Sequence, residues 1–215
     1  MSARRDIVLL VTGFGPFPGA PFNPSAAIVG RLDGAFARRL ARLGVRLETR
    51  ILDVLHATIA PALAALESEL APDAVLHFGL AGRRRVVTVE QRAHNRNRLF
   101  SVDAARRLPE GLVLERGGPA TRRASAPLAP LIAALDRLAP TRASIDAGAY
   151  VCNRTLWFSL APAARRRPTV FIHIPRPRRT AARKGSDVRP TRADLDRMAE
   201  AACLVMARAA RLTRR

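Results

Sequence analysis

Short apolar runs alternate along this chain with stretches rich in alanine, leucine and arginine, and that alternation constrains its fold more than any single motif. Residues 7–12, 45–54, 74–78, 86–90 and 169–174 carry β-type apolar patterning. Between them, residues 25–43, 56–70, 127–138, 152–160 and 194–212 have helical periodicity. Ser25 is the expected N-cap of the first helix and Gly44 its stop. Residues 143–146 read as a short strand, and residues 91–118, polar and rich in arginine and glycine, read mostly as loop. Strand–helix alternation without a repeat at a solenoid period predicts an α/β fold, one sheet covered on both faces, in a single domain over residues 1–215.

Composition narrows the function. No apolar run approaches the ~20 residues that span a bilayer, and the opening apolar run leads into Gly-Phe-Gly-Pro, not a small-residue cleavage site. A cytoplasmic protein without a membrane partner is expected. Two widely separated cysteines, Cys152 and Cys203, fit free thiols in a reducing compartment. The formal charge of +20 invites polyanions through counterion release. Yet the basic residues are arginines scattered beside alanines, Lys184 being the only lysine, and their denser groups lack interleaved aromatics for base stacking. Specific nucleic-acid recognition is not expected.

The loop from Gly13 to Gly19 follows a strand and precedes a helix, as a dinucleotide fingerprint would. Pro16 and Pro18 remove two of the amide donors a pyrophosphate needs, and the helix starts late, after Asn23-Pro24. Phe14, Phe17 and Phe22 instead offer apolar walls, for a small ligand or for anchoring the loop to the core. Cys152 follows a short strand and the bend Ala147-Gly148-Ala149, at the start of a helix. A thiol there is expected to have a lowered pKa, and the same amides could stabilise an oxyanion. Cys203, among Ala201, Ala202, Leu204 and Val205, reads as inert packing. A cysteine nucleophile needs an imidazole and a group to orient it. His173 closes an apolar strand, whereas His77 sits inside one and His56 and His94 lie in polar contexts. Glu90 also ends a β-type run, but residue pattern alone does not separate it from Asp103 or Asp146, and an ion pair with Arg83, Arg84 or Arg92 is its structural alternative.

Four ordered blocks resemble the pyroglutamyl peptidase I (pyrrolidone-carboxylate peptidase) family. They are Val11-Thr-Gly-Phe-Gly-Pro-Phe-Pro-Gly19 with Asn23-Pro-Ser25; Gly79-Leu-Ala-Gly-Arg83 with Val89-Glu-Gln-Arg-Ala-His-Asn95; Ala147-Gly-Ala-Tyr-Val-Cys-Asn153; and Phe171-Ile-His-Ile-Pro175. The resemblance implies a three-layer α/β/α sandwich with an open, mostly parallel mixed sheet. It implies Cys152 as nucleophile, His173 as base and Glu90 as the acid orienting it. Phe14, Phe17, Leu80, Tyr150 and Val151 match the pocket for an N-terminal pyroglutamate. The implied reaction removes that residue from peptides through a thioester, needs neither metal nor cofactor, and is often carried by homo-oligomers. The chain departs from the family where Leu80 replaces a usual Gln, in Glu90-Gln-Arg-Ala-His-Asn95, in the arginine-rich residues 96–107, and at Trp157, commonly Tyr. Those departures leave open a hydrolase with altered acyl specificity, or an inactive basic relative that binds polyanions.

Overall fold

The structure, a computed structural model, describes residues 5–161, 167–178 and 187–214. The denser arginine groups, at residues 165–167, 176–179 and 211–215, therefore fall partly outside the described residues.

Six strands form one sheet: β1 (Ile7–Phe14), β2 (Val45–Leu52), β3 (Ala74–Leu80), β4 (Val87–Glu90), β7 (Thr141–Ser144) and β8 (Thr169–Ile174). Their order is β2-β1-β3-β8-β4-β7, parallel throughout except where β4 runs antiparallel to β8. This is the expected mostly parallel mixed sheet. β1 and β8 are buried along their whole length, as strands covered on both faces must be. Edge strand β2 instead interposes Arg46, Glu48 and Arg50 between its buried ends, which discourages further strand addition.

Alternation of side chains divides the apolar material in two. Leu9, Val11, Leu76, Phe78, Val87, Val89, Val170 and Ile172 face one layer, where α1 (Pro24–Arg31), α4 (Leu128–Asp136) and α6 (Arg192–Thr213) pack. Val8, Leu10, Phe14, Val75 and Phe171 face the other, beneath α3 (Ile59–Leu70) and α5 (Val151–Ser159). The same parity has a chemical consequence. His173, two residues after Phe171, and Glu90, one residue after Val89, both point toward the α5 layer.

Four local expectations are corrected. The first helix is two, α1 and α2 (Ala35–Arg42), because Gly34 adopts φ +85° between them. Its N-cap is Asn23, whose side chain accepts the Ser25 amide, with Pro24 at the first helical position; the Ser25 hydroxyl accepts the Phe14 amide instead. The stretch read as loop contains β5 (Arg92–His94), which pairs with β6 (Thr121–Arg123), three residues too few to carry a period. The third helix begins at Ile59, not His56, whose amide is held by the Asp103 carboxylate.

Candidate active site

α5 starts where the chain turns through Gly148, at φ +87°, whose amide is held 2.8 Å from the Asp146 carboxylate. Tyr150 is the N-cap but makes no side-chain capping bond. Cys152 is the second residue of that turn. Opposite it lies Gly79 of β3: a Cβ there would stand 3.1 Å from Cys152 Sγ and 2.5 Å from the Phe171 ring. Only glycine lets the thiol come this close to the strand. Gly79 pairs in register with His173 on β8, so the thiol overlies the strand directly beside the imidazole.

His173 Nδ1 lies 2.8 Å from Glu90 Oε1. The antiparallel register pairs Thr88 with His173 and Glu90 with Phe171, which makes Glu90 the diagonal neighbour of the imidazole. Glu90 is fully buried. Arg84, in the turn between β3 and β4, contacts the same Oε1. The ion pair given as the alternative reading of Glu90 thus coexists with the histidine bond.

Burial alone would raise the Glu90 carboxyl. Its bond to and charge interaction with His173, helped by Ser144 and Arg84, instead hold it below the usual carboxylate range. Burial pushes the His173 imidazole below its ordinary value, and Glu90 pulls it only partly back. Burial, with the Glu90 charge second, drives the Cys152 thiol up to about 12. This reverses the expected lowering at a helix N-terminus: the dipole and the residue's own amide are outweighed by lost hydration and a nearby carboxylate. At neutral pH these directions favour a neutral thiol and a neutral imidazole beside an ionised carboxylate.

A small pocket opens beside the thiol, lined by Phe14, Phe17, Asn23, Val54, Leu80, Tyr150, Val151 and Cys152. All five residues expected to form a pocket are there. It sits at the C-terminal ends of β1 and β3, whose onward connections lead to opposite sides, the switch point where open α/β sheets take ligands. Phe22 is not part of it; its ring is exposed beneath the Arg192 guanidinium. Tyr150 is fixed by its hydroxyl, which donates to the Val102 carbonyl at 2.8 Å, and by edge contact with His56. Ala104 N–H donates to Val54 O at 2.9 Å and tethers the arginine-rich loop to the pocket wall. Asn23 and Val54 were not anticipated as lining residues. Asn23-Pro24-Ser25 stood in a recognised block, but only the turn back toward Gly15, whose carbonyl accepts from Asn23 Nδ2, brings it to the pocket.

The competing residues lie elsewhere. His77 is sealed between Thr12 Oγ1 at 2.7 Å and Ser159 Oγ at 2.9 Å. His94 contacts the Ile145 carbonyl, and Asp103 accepts the amides of Ala105 and Arg107 in its own loop and of His56 from the β2–α3 connection. Asp146 braces the Cys152 loop but accepts no histidine. Cys203 is fully buried in the α6 layer.

Comparison with known proteins agrees with this geometry. The profile of the pyroglutamyl peptidase family, peptidase family C15, matches residues 7–209. The chain belongs to the pyroglutamyl peptidase family. It is 33% identical over 183 residues to a pyrrolidone-carboxylate peptidase of Enterobacter sp. (strain 638), covering 83% of each chain. With that of Gloeobacter violaceus it shares 34% over 170 residues, 78% of this chain and 80% of the relative. The crystal structure of the Thermus thermophilus pyrrolidone carboxyl peptidase superposes with a TM-score of 0.77 at 32% identity, over 92% of this chain and 99% of the other. Pyroglutamyl peptidase I of Bacillus amyloliquefaciens gives 0.82 at 25% identity, over 94% and 98%. Within the pyroglutamyl peptidase frame, two of the departures noted in sequence, Leu80 and the loop of residues 96–107, fall at the pocket, while Cys152, His173 and Glu90 stand at the strand and helix ends described above.

Proposed function

We propose that this single-domain protein is a cysteine exopeptidase that removes N-terminal pyroglutamate from peptides in a reducing cytoplasm, with Cys152 as nucleophile. The observation that carries this reading is that the Cys152 thiol forms one wall of a small, mostly apolar pocket, beside a buried Glu90–His173 pair.

A lactam also needs a donor and an acceptor. Ala81 N–H donates to Ile174 O on β8, so by strand alternation the amide and carbonyl of Leu80 point the other way, toward β1. β1 pairs with β3 only as far as Thr12 opposite His77, which leaves those Leu80 groups beyond the ladder, on the side of Phe14 and Phe17. The Leu80 backbone can thus supply what its apolar side chain lacks.

Glu90 fixes the imidazole by accepting from Nδ1, which leaves Nε2 as the base. Because the resting thiol is neutral, its proton passes to His173 Nε2 as sulfur attacks the pyroglutamyl carbonyl. The developing oxyanion lies within reach of first-turn amides of α5. The imidazolium then protonates the departing amine, and water, deprotonated by the same imidazole, hydrolyses the thioester and restores the thiol. Homo-oligomer formation is part of this proposal, by the family resemblance.

The test is hydrolysis of a chromogenic pyroglutamyl amide under reducing conditions by the wild type and Cys152→Ala. Release by the wild type, lowered about 10³-fold or more in the variant, is expected. No release by micromolar wild type overturns the reading, and preference for a different N-acyl group in a substrate panel would reassign the pocket.

A further inference from the structure

We propose that Arg84 is a positioning residue for the reaction proposed above, on which this inference rests: its guanidinium ties the Glu90 carboxylate to the loop that delivers Cys152, so that base and nucleophile are held as one unit. One nitrogen, Nη1, contacts Glu90 Oε1 and Thr88 Oγ1. The other, Nη2, donates to the Asp146 carbonyl at 2.8 Å and reaches Ser144 Oγ at 3.4 Å. Asp146 in turn holds the Gly148 amide through its carboxylate, and Gly148 begins the turn that places Cys152 in the first turn of α5. An unbroken chain of polar contacts therefore runs from His173 through Glu90 and Arg84 to the nucleophile's loop.

The glutamate oxygen that Arg84 contacts is the one that takes the His173 Nδ1–H. Arginine suits this place because a rigid planar fork can serve a carboxylate and a carbonyl together, whereas a lysine ammonium supplies the charge at a single point. The charged and titratable groups facing His173 are few. Glu90 comes from β4, Arg84 from the β3–β4 turn and Asp146 from the connection after β7; Cys152 of α5 stands over Gly79, the register partner of His173. From β3, His77 reaches it only through the Phe171 ring, 4.7 Å from the His173 ring centroid to centroid. Arg84 is thus the one cation acting directly on the pair among the described residues, opposing a second positive charge on His173. Its removal raises the affinity of His173 for a proton, and the acid limb of the rate profile, which marks loss of the neutral base, moves to higher pH.

The experiment compares wild type, Arg84→Gln and Arg84→Lys by kcat and KM on the pyroglutamyl amide from pH 5 to 9. The His173 imidazole is titrated by NMR alongside, assigned with His173→Asn. For Arg84→Gln the acid limb and the NMR titration are expected to rise together by about one pH unit. Its kcat should fall about 10²-fold with KM little changed, as expected when the groups are misplaced by about 1 Å. Arg84→Lys should restore the limb and the titration but not kcat, because it returns the charge without the bridge. Unchanged titration and kcat in Arg84→Gln would overturn the proposal. Should that variant fail to fold, Arg84→Lys decides, and a normal kcat there overturns it. If the wild type does not cleave pyroglutamyl amides at all, the imidazole titration still tests the coupling, so failure of the two proposals is distinguishable.

Discussion

Cys152 carries the main contrast between residue type and residue environment. A cysteine in the first turn of a helix, after a glycine bend, has the syntax of an activated thiol, and the bend and the helix are both present. The activation is not a property of the resting residue, because burial and Glu90 push the thiol up to about 12. The consequence is measurable: the rate of Cys152 alkylation by iodoacetamide in the free enzyme should keep climbing above pH 9, with no plateau near neutrality. A plateau at or below pH 7 would mean a thiolate stable at rest. Cys203, fully buried, should stay unmodified in the folded protein and serve as the internal control. Residue pattern already favoured His173, which closes an apolar strand, over His77, which sits inside one. Contacts separate them. His77 has both ring nitrogens occupied by hydroxyls, while His173 spends only Nδ1 on Glu90.

At the scale of elements, the central strands and the long closing helix were legible because each carries its period over enough residues to be unambiguous. α6 also states its own start: Thr191 caps it, accepting the Asp194 amide at 3.1 Å while the Asp194 carboxylate accepts the Thr191 amide at 2.9 Å. Thr191→Ala should lower the unfolding free energy by about 1 kcal/mol, read as a shift in urea midpoint at unchanged slope, with peptidase activity retained. No shift would mean that packing of Leu195, Met198 and Ala202 sets the helix start without its cap. The elements that were missed are short or interrupted. β5 and β6 owe their existence to each other, and Arg92 stands opposite Arg123 across them, a pairing that local preference would not choose. The break at Gly34 likewise serves packing: α1 lies over β1 and β3 while α2 turns toward β2.

For the whole molecule, the buried histidine His77 and the buried Glu90 bias stability in one direction on the acid side. His77 is pushed down to about 3 by burial, with the Arg167 charge second. Its proton is therefore bound by the unfolded chain from about pH 6.5 downward but by the folded protein only near pH 3, so stability falls as pH falls through that window. The lowered Glu90 carboxyl acts with the same sign, since a depressed acid loses its contribution as pH drops. Urea unfolding should show the free energy falling between pH 6 and 4 by as much as about 1.4 kcal/mol per pH unit from His77, and His77→Gln should flatten that slope. An equal slope in the variant would place the acid sensitivity elsewhere. Taken alone, the sequence determined the α/β class, the strands that form the centre of the sheet, and the residues from which a cysteine hydrolase site could be drawn. Those properties follow from period and local chemistry, which neighbouring residues carry. Tertiary structure decided that His173 and not His77 meets Glu90, that Arg84 shares the same oxygen, and that Asn23 and Val54 close the pocket. It also decided that the thiol rests protonated. Each of these depends on strand order and register bringing together residues dozens of positions apart, and on the burial that results, neither of which is written in any local pattern.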